Sequence, residues 1–461
     1  MSRQEQDIGE KLYGSTSRED TQRDALLNGD VPVAVYGLGK MGLPLAAVYA
    51  ETTENVVGVD VDPEVVDAIN RGECHVKREP GLDDAVRKAV ANDWLSASGD
   101  PRSAARGAAV HVVIVPILVD DENTPDLSVL GSVLEDVAAG LDPGDLVVIE
   151  STVPPRTCVD YVRPKLLEES GLDAEEFGVA YCPERTSSGR ALEDIRGAYP
   201  KVVGGDDAES SRAATLVYGE ITDAGVQQVS DTTTAEAVKL FEGLYRDVNI
   251  ALANELAKFT DELAIDANEA IEVANAQPYC DIHTPGPGVG GHCIPIYPHF
   301  LIGQFHTDSP LLRTARRVND GMPAYTVKKL RDALNVEGVA LDGASILVLG
   351  LTYRAGVKET RKSPSLDVVE ELDDAGCSVV AVDPLLDEVP ELAAELIDLD
   401  AIYDRDFDGV VVVTPHSDFD DITWGKLSND RHRLVVVDGR QSLDLSASGH
   451  LAYTIGTGYD V

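Results

Sequence analysis

The chain is expected to be an α/β protein with two doubly wound domains joined by a long central helix. Three observations predict this. Short Val- and Ile-rich runs alternate with helical stretches twice along the chain, as in parallel sheets covered on both faces. The first such run leads into a glycine-punctuated turn and then a helical pattern. Between the two series lies a long amphipathic stretch with no proline.

The elements follow in order. "MSRQEQDIGEKLYGSTSREDTQRD" has no apolar core of a signal peptide, so residues 1–30 read as a loose or helical polar extension. "VPVAVYGLGKMGLPLAAVYAE" is a strand, a G-x-G-x-x-G turn at Gly37, Gly39 and Gly42 (enclosing Lys40 and Met41), and a helix. "NVVGVDVD" is the next strand, and it places Asp60 about twenty residues on. Glycines permit a tight turn and close approach of backbone to a pyrophosphate, and the helix N-terminus offers N–H groups and a positive dipole end. Asp60 can accept hydrogen bonds from a ribose and would repel a 2′-phosphate, so NAD is favoured over NADP. The pattern is Rossmann-like. "AAVHVVIVPI", "GDLVVIEST", "FGVAYCPE" and "PKVVGG" continue the series, and the first domain is taken as residues 31–230.

"TTAEAVKLFEGLYRDVNIALANELAKFTDELAI" opens with threonines suited to an N-cap. Val238, Phe241, Tyr245, Val248, Leu252, Leu256, Phe259 and Leu263 recur at helical spacing. The simplest reading of that stripe is core packing; a helix bridging domains or pairing with a second copy is the alternative. Residues 231–335 are assigned to this helical region and the loop beyond it. "ASILVLGLTYR", "CSVVAVDP", "DGVVVVTP" and "RLVVVDGR" then form a second Rossmann-like series over residues 336–461, without a full G-x-G-x-x-G.

Lys plus Arg number 38 and Asp plus Glu 81, a formal net charge of −43. Such a chain repels nucleic acid and anionic membranes. The acids are scattered, which reads as a solvated surface suited to high salt. No apolar run is long enough to span a bilayer, and the six cysteines show no C-x-x-C pair. A cytoplasmic protein with free thiols is expected.

"PGPGVGGHCIPIYP", residues Pro285–Pro298, is too turn-rich for a regular element. Two readings of Cys293 compete: an inert thiol in a turn, or an exposed nucleophile beside backbone N–H groups that face a substrate. Next to a nicotinamide site, a nucleophilic thiol can oxidise an aldehyde: the thiolate adds, the adduct is oxidised, and water cleaves the thioester. His283, His292, His299 and His306 match no common zinc spacing, so no metal is expected.

Together, "GLGKMGLPLA", "EPGL", "ESTVPPRT", "YCPER", "TAEAVKLFEGLYRDVNIALANELA", "PGPGVGGHCIP", "LGLTYRAGVKETRKSP" and "VVVDGR" resemble the UDP-glucose/GDP-mannose dehydrogenase family, the nucleotide-sugar 6-dehydrogenases, from about residue 31 to the C-terminus. The resemblance implies a four-electron oxidation of a sugar C6 alcohol to a carboxylate, with two NAD per sugar. It implies that Cys293 is the nucleophile, that Lys239 steadies an oxyanion or a water, and that Glu184 is an acid/base partner. Ser151 and Thr152 join the expected cofactor contacts. Arg185, Arg246, Asn249, Gly290, Gly291, His292, Arg354 and Arg361 are the expected contacts to a UDP-sugar. The last domain is then the UDP domain, and the long helix the core of a homodimer. "PERTSSGR", with Ser188 where UDP-glucose members have a second glutamate, is similar to the branch acting on UDP-N-acetylhexosamines. "YRDVNIALANEL" is most similar to members oxidising UDP-N-acetyl-D-mannosamine.

Three positions depart from the family pattern: Gly243 for an asparagine, Tyr297 for an aspartate and Ile117 for a threonine. A mid-helix glycine costs about 1 kcal/mol relative to alanine, so Gly243 points to close packing or room for substrate. UDP-glucose or UDP-N-acetylglucosamine as substrate, a non-catalytic binding relative and a hydroxyacid dehydrogenase of similar plan are the rival readings.

Overall fold

The computed structural model describes residues 11–120, 123–427, 431–445 and 448–459. The first ten residues of the expected N-terminal extension lie outside that set. The chain divides into two compact units: Met1–Phe241 with His299–Gln304, and Glu242–Pro298 with Phe305–Val461.

The first unit is built on an eight-stranded sheet. Its strands are β1 (Val33–Tyr36), β2 (Val56–Val59), β3 (Leu95–Ser98), β4 (Val110–Val113), β5 (Leu146–Ile149), β6 (Gly178–Tyr181), β7 (Lys201–Gly205) and β8 (Val226–Gln228). The order is β8-β7-β6-β5-β4-β1-β2-β3. All pairs are parallel except β6 with β7. β1, β4, β5 and β6 are buried along their whole length, which is why they read as unbroken apolar runs. Helices cover both faces, over two separate apolar clusters. The edge strands β3 and β8 escaped the sequence reading because they are half polar. Residues 11–30 are not loose. Leu12, Tyr13 and Leu26 are buried, the Tyr13 hydroxyl donates to Asp207 at 2.9 Å, and Glu19–Leu27 is a helix.

The second unit carries a seven-stranded sheet: β9 (Ser345–Leu349), β10 (Ser378–Val382), β11 (Glu395–Leu396), β12 (Gly409–Val412), β13 (Val435–Asp438), β14 (Leu451–Thr454) and β15 (Gly458–Tyr459). The order is β11-β10-β9-β12-β13-β14-β15, parallel except for the last pair. β9 and β10 occupy the places that β1 and β2 hold in the first sheet.

The predicted long helix spans Thr232–Ala257. Asp231, not a threonine, caps it: its carboxylate accepts from Thr234 N at 2.7 Å. The expected stripe is not core. Phe241, Tyr245, Leu252, Phe259 and Leu263 are exposed, Phe241 by 61%. The buried apolar positions are instead Ala235, Leu240, Leu244, Ala251, Ala253 and Ala257, with the polar Thr232, Glu236, Asp247 and Asn254 buried beside them. The helix is apolar on two sides. Its core side is lined mostly by alanines, which large-residue periodicity does not register. No helix among the described residues is long and apolar enough to cross a membrane.

Candidate active site

In the first unit, β1 runs into Gly37, whose φ of 98° is left-handed; a Cβ there would lie 2.5 Å from the Ile114 carbonyl oxygen. A Cβ on Gly42 would meet Gly37 O at 1.9 Å, so the helix Gly42–Thr53 can begin only if this residue is glycine. Gly39 faces open space, and Lys40 is exposed. Asp60, at the end of β2, accepts from Leu38 N at 2.9 Å and Asp62 N at 3.0 Å. It stays partly exposed, with lone pairs left for ribose hydroxyls. These residues fit a dinucleotide: a cradle that a Cβ would fill, a helix N-terminus, and an acid at the second strand. Ser151 is tied up structurally. It is buried, and its hydroxyl accepts from Val115 N at 2.8 Å. Thr152 beside it is only partly buried.

Also in this unit, Lys239 Nζ lies 3.8 Å from Glu184 Oε2, both side chains being largely buried. The other Glu184 oxygen accepts from the backbone and hydroxyl of Thr186. Glu184 is therefore held at both ends, one oxygen locked and one facing a cation. The Arg185 guanidinium stacks on Tyr199 at 4.9 Å and donates to Pro200 O at 3.1 Å, so part of its capacity is used inside the unit. Below lies a group the sequence reading missed. Glu150 is fully buried, takes a 2.5 Å hydrogen bond from Tyr218, and burial pushes its carboxyl up to about 7.

In the second unit, the Cys293 loop is rigidly docked. Gly286 N donates to Asn254 Oδ1 at 2.9 Å, Arg440 donates to Gly288 O at 3.2 Å, and Gly291 N to Arg361 O at 3.0 Å. A Cβ on Gly290 would meet Lys362 O at 2.7 Å, and one on Gly291 would meet the Tyr353 ring at 3.0 Å. Gly290 and Gly291 thus allow close contact with segment 353–364, and the Gly291 N–H is spent on that contact. After Cys293, whose carbonyl accepts from Ile296 N and Tyr297 N at 3.0 and 2.9 Å, the chain turns. Cys293 is a partly exposed thiol outside any disulfide, whereas Cys74, Cys158, Cys182 and Cys377 are buried.

The remaining candidates separate. Arg354 and Arg361 are exposed on that segment, Arg361 Nε lying 3.6 Å from Glu359. Arg246 is exposed on the long helix. Asn249 is a strut: it donates to Asp281 O at 2.6 Å and accepts from His283 N at 2.8 Å. His292 has its Nδ1 3.7 Å from Glu359 while its side chain stays 43% exposed. Gly243 and Tyr297, two of the departures, prove to be one feature: a Cβ on Gly243 would lie 2.4 Å from Tyr297 Cδ2. The Tyr297 ring fills the space a side chain at 243 would need. Close packing, not room for substrate, explains that glycine. Arg440, Tyr353 and Glu359 were not singled out from sequence; their own motifs hold no sign that they meet a loop more than fifty residues away.

Three family models match the chain. They are the NAD binding domain (residues 31–222), the central domain (233–321) and the UDP binding domain (347–445) of the UDP-glucose/GDP-mannose dehydrogenase family. A UDP-N-acetyl-D-mannosamine dehydrogenase from Pyrococcus horikoshii is 35% identical over 92% of this chain and 99% of its own. An NDP-N-acetyl-D-galactosaminuronic acid dehydrogenase from Ralstonia nicotianae is 36% identical over 88% of this chain and 95% of its own. Among solved structures, the UDP-D-ManNAc dehydrogenase of P. horikoshii superposes with a TM-score of 0.83 at 34% identity, covering 92% and 99% of the two chains. A UDP-glucose dehydrogenase from Pyrobaculum islandicum gives 0.80 at 26%, covering 92% and 96%. With a dinucleotide turn, a docked cysteine loop and all three domain models in place, the chain belongs to the UDP-glucose/GDP-mannose dehydrogenase family and is an NAD-dependent nucleotide-sugar dehydrogenase.

Proposed function

We propose that the protein oxidises the C6 alcohol of UDP-N-acetyl-D-mannosamine to the carboxylate through Cys293. The observation that carries this is the Cys293 loop: a partly exposed thiol on a backbone that its glycines let pack closely onto segment 353–364. Rigid placement is what a nucleophile needs and an inert loop thiol does not. The sugar is read from "PERTSSGR" and "YRDVNIALANEL", and the names of several relatives agree.

Gly37, Gly39, Lys40, Met41, Gly42, Asp60 and Thr152 would hold NAD, which supplies the hydride acceptor for both oxidations. Once the alcohol has become an aldehyde, the Cys293 thiolate adds to its carbon to give a thiohemiacetal. After the second oxidation the carbon is held as a thioester. Lys239 stabilises negative charge on the reacting oxygen. Glu184, its second oxygen directed at Lys239, takes a proton from the water that cleaves the thioester, releasing carboxylate and thiol. Arg354 and Arg361 are assigned to the diphosphate, for which guanidinium geometry is suited. The exposed face of Phe241, Tyr245, Leu252, Phe259 and Leu263 is assigned to a second copy of the chain, giving a homodimer in a salt-rich cytoplasm.

The test is NADH absorbance in molar KCl with limiting UDP-N-acetylmannosamine, UDP-N-acetylglucosamine, UDP-N-acetylgalactosamine, UDP-glucose or GDP-mannose. Two NADH per UDP-N-acetylmannosamine, abolished in Cys293→Ala, is the expected result. Turnover of another sugar alone would reassign the substrate, and full activity in Cys293→Ala would remove the covalent route. The Ralstonia relative's name favours an N-acetylgalactosamine sugar as the second reading.

A further inference from the structure

The inference concerns how Cys293 becomes a nucleophile, and it rests on the functional reading above. His292, half-exposed, also has neighbours within the chain. Its side chain interacts with that of Cys293. Its Nδ1 lies 3.7 Å from Glu359 Oε1, and its ring stands edge-on to Tyr353 with centroids 6.5 Å apart.

The backbone fixes these positions from both sides. Gly291 N donates to Arg361 O at 3.0 Å, just before His292. On the opposing segment, Tyr353 N donates to Glu359 O at 3.0 Å and Glu359 N to Val357 O at 2.8 Å, closing a turn that presents the carboxylate. Gly290 and Gly291 allow the approach, because a Cβ on either would strike Tyr353. The Glu359 side chain is only 18% exposed. A carboxylate so placed demands cationic partners, and Arg361 and His292 both lie within 4 Å of it.

We propose that His292 is the base that removes the Cys293 thiol proton and keeps it as an imidazolium beside the thiolate, while Glu359 positions the ring through Nδ1. The Sγ–H bond breaks and a ring N–H forms. No electrons leave the pair, and Glu359 stays ionised. His292 is then a catalytic residue and Glu359 a positioning residue. The surroundings favour the charged ring: Cys293 and then Glu359 raise its pKa against the opposing effect of burial, to about 10. The other titratable groups facing this cluster are Tyr353, whose hydroxyl is pushed up chiefly by burial, and the exposed Arg354 and Arg361. The arginines add positive charge, which favours a thiolate over a thiol.

The test needs no sugar. The full-length protein is alkylated with iodoacetamide across a pH series, and modification is followed by peptide mass spectrometry. Cys280, the other thiol that is not fully buried, is the internal reference. In His292→Asn, Cys293 alkylation at pH 7 should slow about tenfold or more, since each pKa unit removes a decade of thiolate. The pH midpoint should move up. Glu359→Gln should shift it the same way by a smaller amount, about threefold in rate. Cys280 should not respond. An unchanged Cys293 profile in His292→Asn overturns the proposal. If that variant does not fold, an unchanged midpoint in Glu359→Gln overturns it instead. Absence of NADH from every sugar, with alkylation still dependent on His292, would sink the functional reading and leave this pair standing.

Discussion

The two sheets begin the same way and end with opposite uses for the same acid. In the first unit, β1 leads into Gly37 and β2 ends at Asp60; in the second, β9 leads into Gly350 and β10 ends at Asp383. Both glycines are left-handed, φ 98° and 86°, and in both a Cβ would strike a carbonyl of the neighbouring strand's end, Ile114 or Thr414. Asp60 spends its oxygens on two backbone N–H groups and stays partly open. Asp383 accepts from Leu351 N, Thr352 N, the Thr352 hydroxyl and Leu385 N, and faces His416 Nε2 at 3.1 Å. It is buried. The two sheets share a turn, but only the first leaves its carboxylate partly exposed. The second turn has been closed into structure, consistent with its match to a UDP binding rather than an NAD binding domain.

Exchanging the roles of these acids is the sharpest way to break that comparison. Asp383→Ala should lose about 3–5 kcal/mol of stability, because His416 and two backbone donors are left buried without their acceptor. A urea midpoint within error of wild type would show that the second acid is not structural. Asp60→Ala should leave that midpoint nearly unchanged and weaken NAD binding about 10- to 100-fold, the loss of one or two charge-assisted hydrogen bonds. Isothermal titration with NAD measures it, and equal affinity would remove Asp60 from the cofactor site.

The units should also part company with pH. Burial raises Glu150 and Glu236, in the first unit, to about 7, while an unfolded glutamate titrates near 4.3. The folded state binds those protons more tightly. Their stabilisation is complete below about 4.3 and lost as pH climbs through about 7, worth about 3–4 kcal/mol each. For Asp383, burial works upward, but bonds from His416 and from the Thr352 and Leu385 backbones prevail and pull it down to about 2. Its stabilisation is present above the unfolded value near 3.9 and lost as pH falls toward 2. Thermal melts of Glu150→Gln should therefore show a shallower decline between pH 5 and 8, with the acid limb unmoved. A parallel curve would contradict the burial argument.

The least specific effect is that of salt. With a net charge of −43, self-repulsion is screened as KCl rises into the molar range. The unfolding midpoint should climb by about 5 °C or more. Equal midpoints in dilute buffer would argue against a high-salt adaptation. Scanning calorimetry would also tell whether the two units melt together.

The dinucleotide turn was legible because its determinants are local: Gly37, Gly39, Gly42 and Asp60 lie on one strand–turn–helix–strand stretch, and each follows from backbone sterics. The Cys293 loop was legible as a turn-rich segment through its glycines, but its packing on segment 353–364 was not, since a glycine's freedom of φ and its lack of a Cβ give the same letter. The long helix misled for a different reason: its large apolar residues face outward and its alanines inward. Gly243 and Tyr297 read as two separate departures, yet they are one packing event.

The sequence by itself determined the two α/β series and the cofactor class, because strand burial, turn sterics and the dinucleotide motif are written in neighbouring residues. Only the tertiary structure decided which second-strand acid is free, which apolar face lies uncovered, and that Glu359 meets His292 beside Cys293. Those outcomes depend on segments far apart in the chain packing to within a few ångströms, and no local spacing encodes that distance.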